Sequence, residues 1–228
     1  MKLSIIVPAF NEEKTIFDIL IKLSKIKNAL IDIEIIVVND GSTDGTKKIL
    51  DENKDLYNVL INNDSNRGKG FSVKKALEIC KGDYIFFQDA DLEYDPDEIF
   101  KFIKIIDKFN PDLVIGSRFI YSNYTRSHNF FNKMGNLFIT TLFNMLYNTT
   151  FTDIYSCYAC FKKEKLNVIS LKTNGFEQHA EILCKVIRNG NKFYEIPINY
   201  NGRNAEEGKK IKPHHVFSVI KEIIRGRF

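Results

Sequence analysis

The sequence predicts one α/β domain built around a mostly parallel sheet flanked by helices, and three observations predict it. Short apolar runs at 2–7, 33–39, 58–62 and 84–87, several rich in Ile and Val, are bounded by turn residues as buried strands are. Between them lie polar loops and helical apolar repeats, and strand, loop and helix alternating over short connections is the pattern of right-handed parallel crossovers. The 228 residues suffice for one sizeable core and do not require a second domain.

The first strand, Lys2 to Val7, is stopped by Pro8. The loop Pro8-Ala-Phe-Asn-Glu-Glu13 leads into a helix from about Lys14 to Lys25 that aligns Ile16, Ile19, Leu20 and Leu23. A second strand, Ile33 to Asn39, runs into Asp40-Gly-Ser-Thr-Asp-Gly-Thr46, where Ser42 or Thr43 is expected to cap a helix from Asp44 to Asn53. The third strand, Asn58 to Asn62, precedes the loop Asn63-Asp-Ser-Asn-Arg-Gly-Lys-Gly70 and a helix to Cys80. Tyr84 to Phe87 is a fourth strand, Pro96 to Phe109 a helix, and Leu113 to Ile115 a strand ending in Gly116-Ser-Arg118. The alternation then breaks into an aromatic- and Asn-rich stretch, 119–150, before a strand near Tyr158 to Phe161, a helix from Gln178 to Arg188 and a strand from Lys192 to Ile198.

Two later helices carry apolar stripes. Phe131, Met134, Leu137, Phe138, Leu142, Met145 and Leu146 mark a helix from Phe130 to Tyr147, expected to face the core or else to lie on a membrane surface. Val216, Val219, Ile220, Ile223 and Ile224 share a face of the final helix, with Lys221, Glu222 and Arg225 off it. The expected organisation is therefore a first half, 1–118, a second half of the same domain, 119–200, and a basic loop with an amphipathic helix, 201–228.

The composition, 44% hydrophobic and 27% charged, is that of a globular chain. The seven basic and three acidic residues beyond Tyr200 account for the whole net charge of +4. A basic tail on a neutral body points to an anionic surface or a phosphate-bearing substrate rather than to nucleic acid. The run from Leu3 is cut too early by Pro8 and Asn11-Glu-Glu13 for a signal peptide, and no stretch approaches the roughly 18 apolar residues of a membrane span. Cys80, Cys157, Cys160 and Cys184 fit a reducing cytoplasm, and Cys157-x-x-Cys160 is expected to pack inertly in a strand.

The chemistry gathers at Tyr84-Ile-Phe-Phe-Gln-Asp-Ala-Asp-Leu-Glu93, where an apolar strand ends in carboxylates. Strand alternation would aim Asp89 and Asp91 the same way, and paired acidic oxygens at the carboxyl edge of a sheet suit a hard divalent ion with positions left for phosphates. Ligands in parallel sheets sit at that edge, where the loops 8–12, 40–45 and 89–93 all fall. No G-x-G-x-x-G follows the first strand, and Arg67-Gly-Lys-Gly70 is not a Walker loop.

Together, Val7-Pro-Ala-Phe-Asn-Glu-Glu13, Val38-Asn-Asp-Gly-Ser-Thr-Asp-Gly-Thr46, Asn66-Arg-Gly-Lys-Gly70, Gln88-Asp-Ala-Asp-Leu92, Gly116-Ser-Arg118, Thr152-Asp153, Gly175-Phe176 and Glu195-Ile-Pro-Ile-Asn-Tyr-Asn-Gly-Arg203 resemble family 2 glycosyltransferases of the A-type fold, and among them the polyprenyl-phosphate mannose or glucose synthases. The resemblance implies an inverting transfer of a hexose from a nucleotide sugar of the GDP-mannose or UDP-glucose type to a polyprenyl phosphate; with no membrane helix such as some relatives append, the basic tail and the stripe from Phe131 to Leu146 are expected to attach the enzyme peripherally at the inner face of the membrane. It implies Mg²⁺ or Mn²⁺ at Asp89 and Asp91; Glu93 is a further candidate ligand read from the residues, at a position where the synthases often carry an amide. It places Pro8, Ala9, Asn11, Glu12, Asp40, Lys69, Gly70 and Ala90 around the donor, and Arg118, Arg203 and Lys209 as phosphate clamps. A phosphate acceptor is largely ionised at neutral pH and needs no base, whereas a sugar hydroxyl would need one; Asp153 is the candidate and Glu181 a weaker one. A glycan-extending enzyme using Asp153 and a non-catalytic nucleotide-sugar-binding module are the alternatives. The chain departs from the synthases in having no basic residue between Asp153 and Lys162 and in carrying Asn39 where a second Asp is common.

Overall fold

The computed structural model describes residues 1–29, 32–120, 130–203 and 215–228. Seven strands, β1 (Lys2–Ala9), β2 (Asp32–Asn39), β3 (Val59–Asn62), β4 (Tyr84–Phe87), β5 (Leu113–Ser117), β6 (Ala159–Lys162) and β7 (Phe193–Pro197), form one sheet in the order β3-β2-β1-β4-β6-β5-β7. β3, β2, β1 and β4 run parallel, as do β5 and β7, while β6 is antiparallel to both neighbours, β4 and β5. The sequence predicts a strand near β6 but does not reveal its direction, because a pairing between residues about 75 positions apart leaves no local signature.

Strand alternation divides the interior into two layers. Ile5, Ile35, Val37 and Phe86 turn toward α1 (Ile16–Ala29) and α4 (Ile99–Phe109), where Ile19, Leu20, Leu23, Phe102 and Ile106 meet them. Ile6, Ile36, Val38 and Phe87 turn the other way, onto α3 (Lys69–Ile79), α5 (Phe130–Tyr147), α6 (Gln178–Asn189) and α7 (His215–Arg227). Covered on both faces, the sheet exposes its chemistry only at the strand ends.

Three local expectations are corrected. α2 (Thr46–Glu52) is not capped by Ser42 or Thr43; the Asp44 carboxylate accepts the Thr46 N–H at 3.0 Å, and Ser42 and Thr43 instead bind Asn11. The apolar stripe of α5 is largely on its outer side: Phe131, Leu137, Phe138 and Met145 are exposed, Leu142 and Leu146 half-buried, and the core takes Ile139, Phe143 and Tyr147. On α7 the core takes Val219 and Ile223, whereas Ile224 faces outward.

The start of β5 is fastened to the turn before β7 by Asp112, 4% exposed, which accepts the N–H groups of Asn191 and Lys192 at 2.9 and 3.2 Å. Burial opposes its ionisation, but these bonds and Lys165 and Lys162 hold its pKa below the ordinary carboxylate value. A carboxylate lowered in the folded state contributes stability above its unfolded pKa and loses it as pH falls through the folded value. Asp112→Ala should therefore lower unfolding free energy by about 1–3 kcal/mol at neutral pH, with the gap to the parent narrowing on acidification; urea titrations at several pH values measure it, and a pH-independent gap would contradict it.

Candidate active site

At the carboxyl edge, three loops are laced together by their own side chains. Asn11 adopts a left-handed φ of 52°. From there its amide oxygen accepts the Thr43 N–H at 2.8 Å, and its own N–H reaches the Ser42 hydroxyl at 3.0 Å. Glu13 accepts the Gly45 N–H at 2.7 Å, and the Glu12 N–H donates to Thr46 Oγ1 at 2.8 Å. Asp40 is buried and binds the N–H groups of Arg67 and Gly68 and the amide of Asn63 at 3.0, 2.9 and 2.7 Å. Gly68 has a φ of 95°, and a Cβ on Gly70 would stand 2.6 Å from the Asn174 carbonyl carbon, so both positions require glycine. Pro8 and Ala9 form the end of β1 beside these loops, half-buried and buried.

β4 ends at Phe87, before either aspartate, so strand alternation does not set their directions; a turn with Leu92 at φ 59° positions Asp89 and Asp91 instead. Gln88 braces that turn, accepting from the Tyr158 hydroxyl at 2.6 Å and donating to the Asp89 carbonyl at 3.0 Å. The buried Ala90 accepts the Thr15 hydroxyl through its carbonyl at 2.6 Å. Asp89 is ion-paired with Lys69, whose ammonium also lies 3.3 Å from Cys157 Sγ. Burial alone would lower the Lys69 pKa, but Asp89 and Cys157 hold it above its ordinary value; Asp89 is held low against its own burial by the same ammonium.

Asp91 faces a different cation. Arg203 donates to Asp91 at 2.8 Å, to Glu93 at 3.3 Å from its side chain and 2.9 Å from its backbone, and to Glu12 at 3.4 and 3.5 Å. Glu93 also accepts the Tyr200 hydroxyl at 2.6 Å, and Asn201 N–H bonds its carbonyl at 3.0 Å, so residues 200–203 are strapped across the turn. Burial, then Asp89 and Glu93, push Asp91 up to about 7 despite Arg203.

The remaining predicted residues are placed differently from expectation. Asp153 is fully buried with both oxygens on Arg118, which donates from Nε at 2.7 Å, from Nη2 at 2.8 Å and from its backbone at 3.1 Å. It is therefore not a free carboxylate poised as a base, and Arg118 is first of all its counter-ion. Glu195 supports the pair, accepting the Thr152 and Asp153 N–H groups at 2.9 and 3.0 Å. Glu181 is buried and already accepts the Lys172 and Thr173 N–H groups at 2.9 and 3.0 Å, a commitment to the 172–173 backbone. Lys209 lies outside the described residues. Cys160 packs in the core as expected, whereas Cys157 is half-buried against the core's edge and also meets Lys69 at the site. Tyr155 and His179 also line the adjoining cavity; burial, then Lys69, lower His179 to about 4 and keep it neutral. The Cys-x-x-Cys spacing conceals the difference between its two cysteines, because Cys157 precedes the strand.

Among the described residues no three His, Cys, Asp or Glu side chains already form a metal cage. The donor chemistry nevertheless suits a hard divalent ion: Asp91 and Glu93 offer carboxylate oxygens beside Asp89, and Asp91 is pushed up by burial and then by the neighbouring Asp89 and Glu93 charges.

A profile described as glycosyl transferase family 2 matches residues 4–169. The chain belongs to this family. It is a glycosyltransferase, and its fold is the A-type fold of such enzymes. It is similar to a dolichol-phosphate mannosyltransferase of Pyrococcus furiosus, 29% identical over 99% of this chain and 63% of that one. It is also similar to a UDP-N-acetylglucosamine–dolichyl-phosphate N-acetylglucosaminyltransferase of Methanococcus voltae, 31% identical over 85% of this chain and 83% of that one. The chain thus spans less than two thirds of the mannosyltransferase's length. Glucosyl-3-phosphoglycerate synthase from Mycobacterium tuberculosis, solved with Mn²⁺, UDP and glucosyl-3-phosphoglycerate, superposes with a TM-score of 0.74 at 18% identity over 99% of this chain and 79% of that one.

Since Arg203 neutralises the carboxylates that suit a metal, any ion entering there competes with it. Arg203→Gln should bind Mn²⁺ roughly tenfold tighter than the parent in calorimetric titrations without nucleotide; weaker binding would mean that the guanidinium is not a competitor.

Proposed function

We propose that this glycosyltransferase moves a hexosyl unit, with inversion, from a nucleotide diphosphate sugar to a polyprenyl phosphate at a membrane surface. Residues 1–118 would form the donor half and 119–200 the acceptor half, and the resemblance favours donors of the GDP-mannose or UDP-glucose type. The observation that carries the reading is the commitment of Asp153 to Arg118. A sugar hydroxyl needs a base, and the candidate base is occupied; a phosphate monoester is mostly ionised at neutral pH and can attack the anomeric carbon unaided.

The residues divide the work. Asp153 fixes the guanidinium of Arg118, whose Cζ lies 5.1 Å from the Tyr200 ring centre, and so presents a rigid cation suited to acceptor phosphate. Asp89, Asp91 and Glu93 would hold Mg²⁺ or Mn²⁺, which when bound supplies positive charge to the departing diphosphate. Arg203, displaced from these carboxylates, is within reach to pair with the diphosphate instead. Pro8, Ala9, Asn11, Glu12 and Asp40 would border the nucleoside, Asp40 by holding the 66–68 loop.

The lipid side is supported by α5 and α7. Phe131, Phe138 and Met145 on α5 are 80%, 61% and 78% exposed, and Phe217 and Phe228 near α7's ends are 76% and 93% exposed. The two helices pack together, Tyr147 donating to the Ile223 carbonyl at 3.0 Å, and Lys221, Arg225 and Arg227 add positive charge. No described helix is long and apolar enough to cross a membrane. An apolar face with a basic rim fits peripheral attachment to an anionic lipid surface.

Asp153→Asn tests the acceptor. For a phosphate acceptor it should mainly raise KM for the lipid phosphate by loosening Arg118; a loss of roughly 10²–10⁴ in kcat at unchanged KM would mark a lost general base and favour a hydroxyl acceptor. For the surface, Phe131→Glu combined with Phe138→Glu should abolish sedimentation with phosphatidylglycerol vesicles at low salt, and undiminished sedimentation would remove α5 from the interface.

A further inference from the structure

A cavity of about 40 Å³ opens between the first turns of α3 and α6, where Lys69, Val73, Phe87, Tyr155, Cys157 and His179 line it. It shares Lys69 and Cys157 with the acidic crevice, since the Lys69 ammonium that pairs with Asp89 also touches the Cys157 sulfur. Two of its lining residues carry buried polar atoms without a hydrogen-bond partner: the Tyr155 hydroxyl and His179 Nε2. Nearly all buried polar atoms in native proteins are paired, so two orphans in one cavity beside a donor site mark a place for a polar group that arrives with a ligand.

We propose that this cavity receives the acetamido group of the donor sugar, so that the transferred unit is a 2-acetamido-2-deoxyhexose rather than a plain hexose. The inference rests on the donor-site reading of the crevice and replaces the mannose or glucose implied by resemblance with an N-acetylated sugar. The volume corresponds to about three water-sized spaces, too small for a sugar ring but suited to a substituent of three or four heavy atoms. An acetamido group offers one carbonyl acceptor, one N–H donor and one methyl. The Tyr155 hydroxyl can donate to the carbonyl, a neutral His179 can accept the N–H at Nε2, and Val73 and Phe87 provide apolar contact for the methyl. A C-2 hydroxyl, with a single heavy atom, would leave much of the space unfilled and bring no methyl to the apolar wall of Val73 and Phe87.

The test is calorimetric binding in the presence of Mn²⁺, with UDP-N-acetylglucosamine, UDP-glucose, GDP-mannose and bare UDP titrated into the parent, Tyr155→Phe and His179→Leu. The parent should bind UDP-N-acetylglucosamine at least about tenfold tighter than UDP-glucose. Each variant should close most of that gap while leaving the affinity for UDP and the melting temperature nearly unchanged. Equal or tighter binding of UDP-glucose, or preference for GDP-mannose over both UDP-sugars, would overturn the acetamido assignment and leave the donor-site reading standing. A variant that weakens UDP and UDP-N-acetylglucosamine alike would also overturn it, by reducing the two side chains to a packing role. Failure of every nucleotide to bind would overturn the donor-site reading, and the inference with it.

Discussion

Charge compensation at the sheet's carboxyl edge is the constraint on which the rest of the site depends. A carboxylate removed from water is tolerated only with a partner, and breaking such a pair leaves an uncompensated buried charge. This chain answers the problem three times, with Lys69 on Asp89, Arg118 on Asp153, and Arg203 shared by Glu12, Asp91 and Glu93. The three pairs are not equivalent. Asp153 and Arg118 are almost wholly enclosed and joined through both carboxylate oxygens, which suits a cation held in one fixed place. Arg203 is spread over three carboxylates at mixed distances and is partly exposed, which suits a cation that can be exchanged.

The fold was legible in the sequence where local pattern carries the information. Apolar runs such as Ile33 to Val38 place adjacent residues in opposite layers, and they identified the parallel half of the sheet almost to the residue. The direction of β6 and the facing of α5 were not legible, because both depend on which distant element is the neighbour. On α5, seven apolar positions suited a stripe facing either the core or a membrane surface, and the inner side is defined by Ile139, Phe143 and Tyr147 packing toward the sheet and α7. Exposed apolar side chains on a helix carry the same sequence signal as buried ones.

The site was partly legible for the same reason. Residues in contiguous motifs, from Pro8 to Glu12, Asp40 and Asp89 to Glu93, do converge on one edge. What could not be read was pairing over distance: Arg203 reaches Asp91 across 112 positions and Lys69 reaches Cys157 across 88. Those long-range pairs change the chemistry assigned to each residue. Asp153 alone in a motif resembles a base, whereas Asp153 bound through both oxygens to Arg118 holds a cation in place. On the proposed function that difference links the site to a phosphate acceptor, and the outward apolar side of α5 would give the acceptor's lipid a surface from which to approach.

The most direct test of the account is the release of nucleoside diphosphate from a nucleotide sugar in the presence of either a polyprenyl phosphate or the same polyprenol without phosphate, each with Mn²⁺ and with chelator. The account predicts release and a glycosylated lipid only when both the lipid phosphate and the metal are present. Equal transfer to an unphosphorylated hydroxyl, or transfer undiminished by chelator, would contradict it.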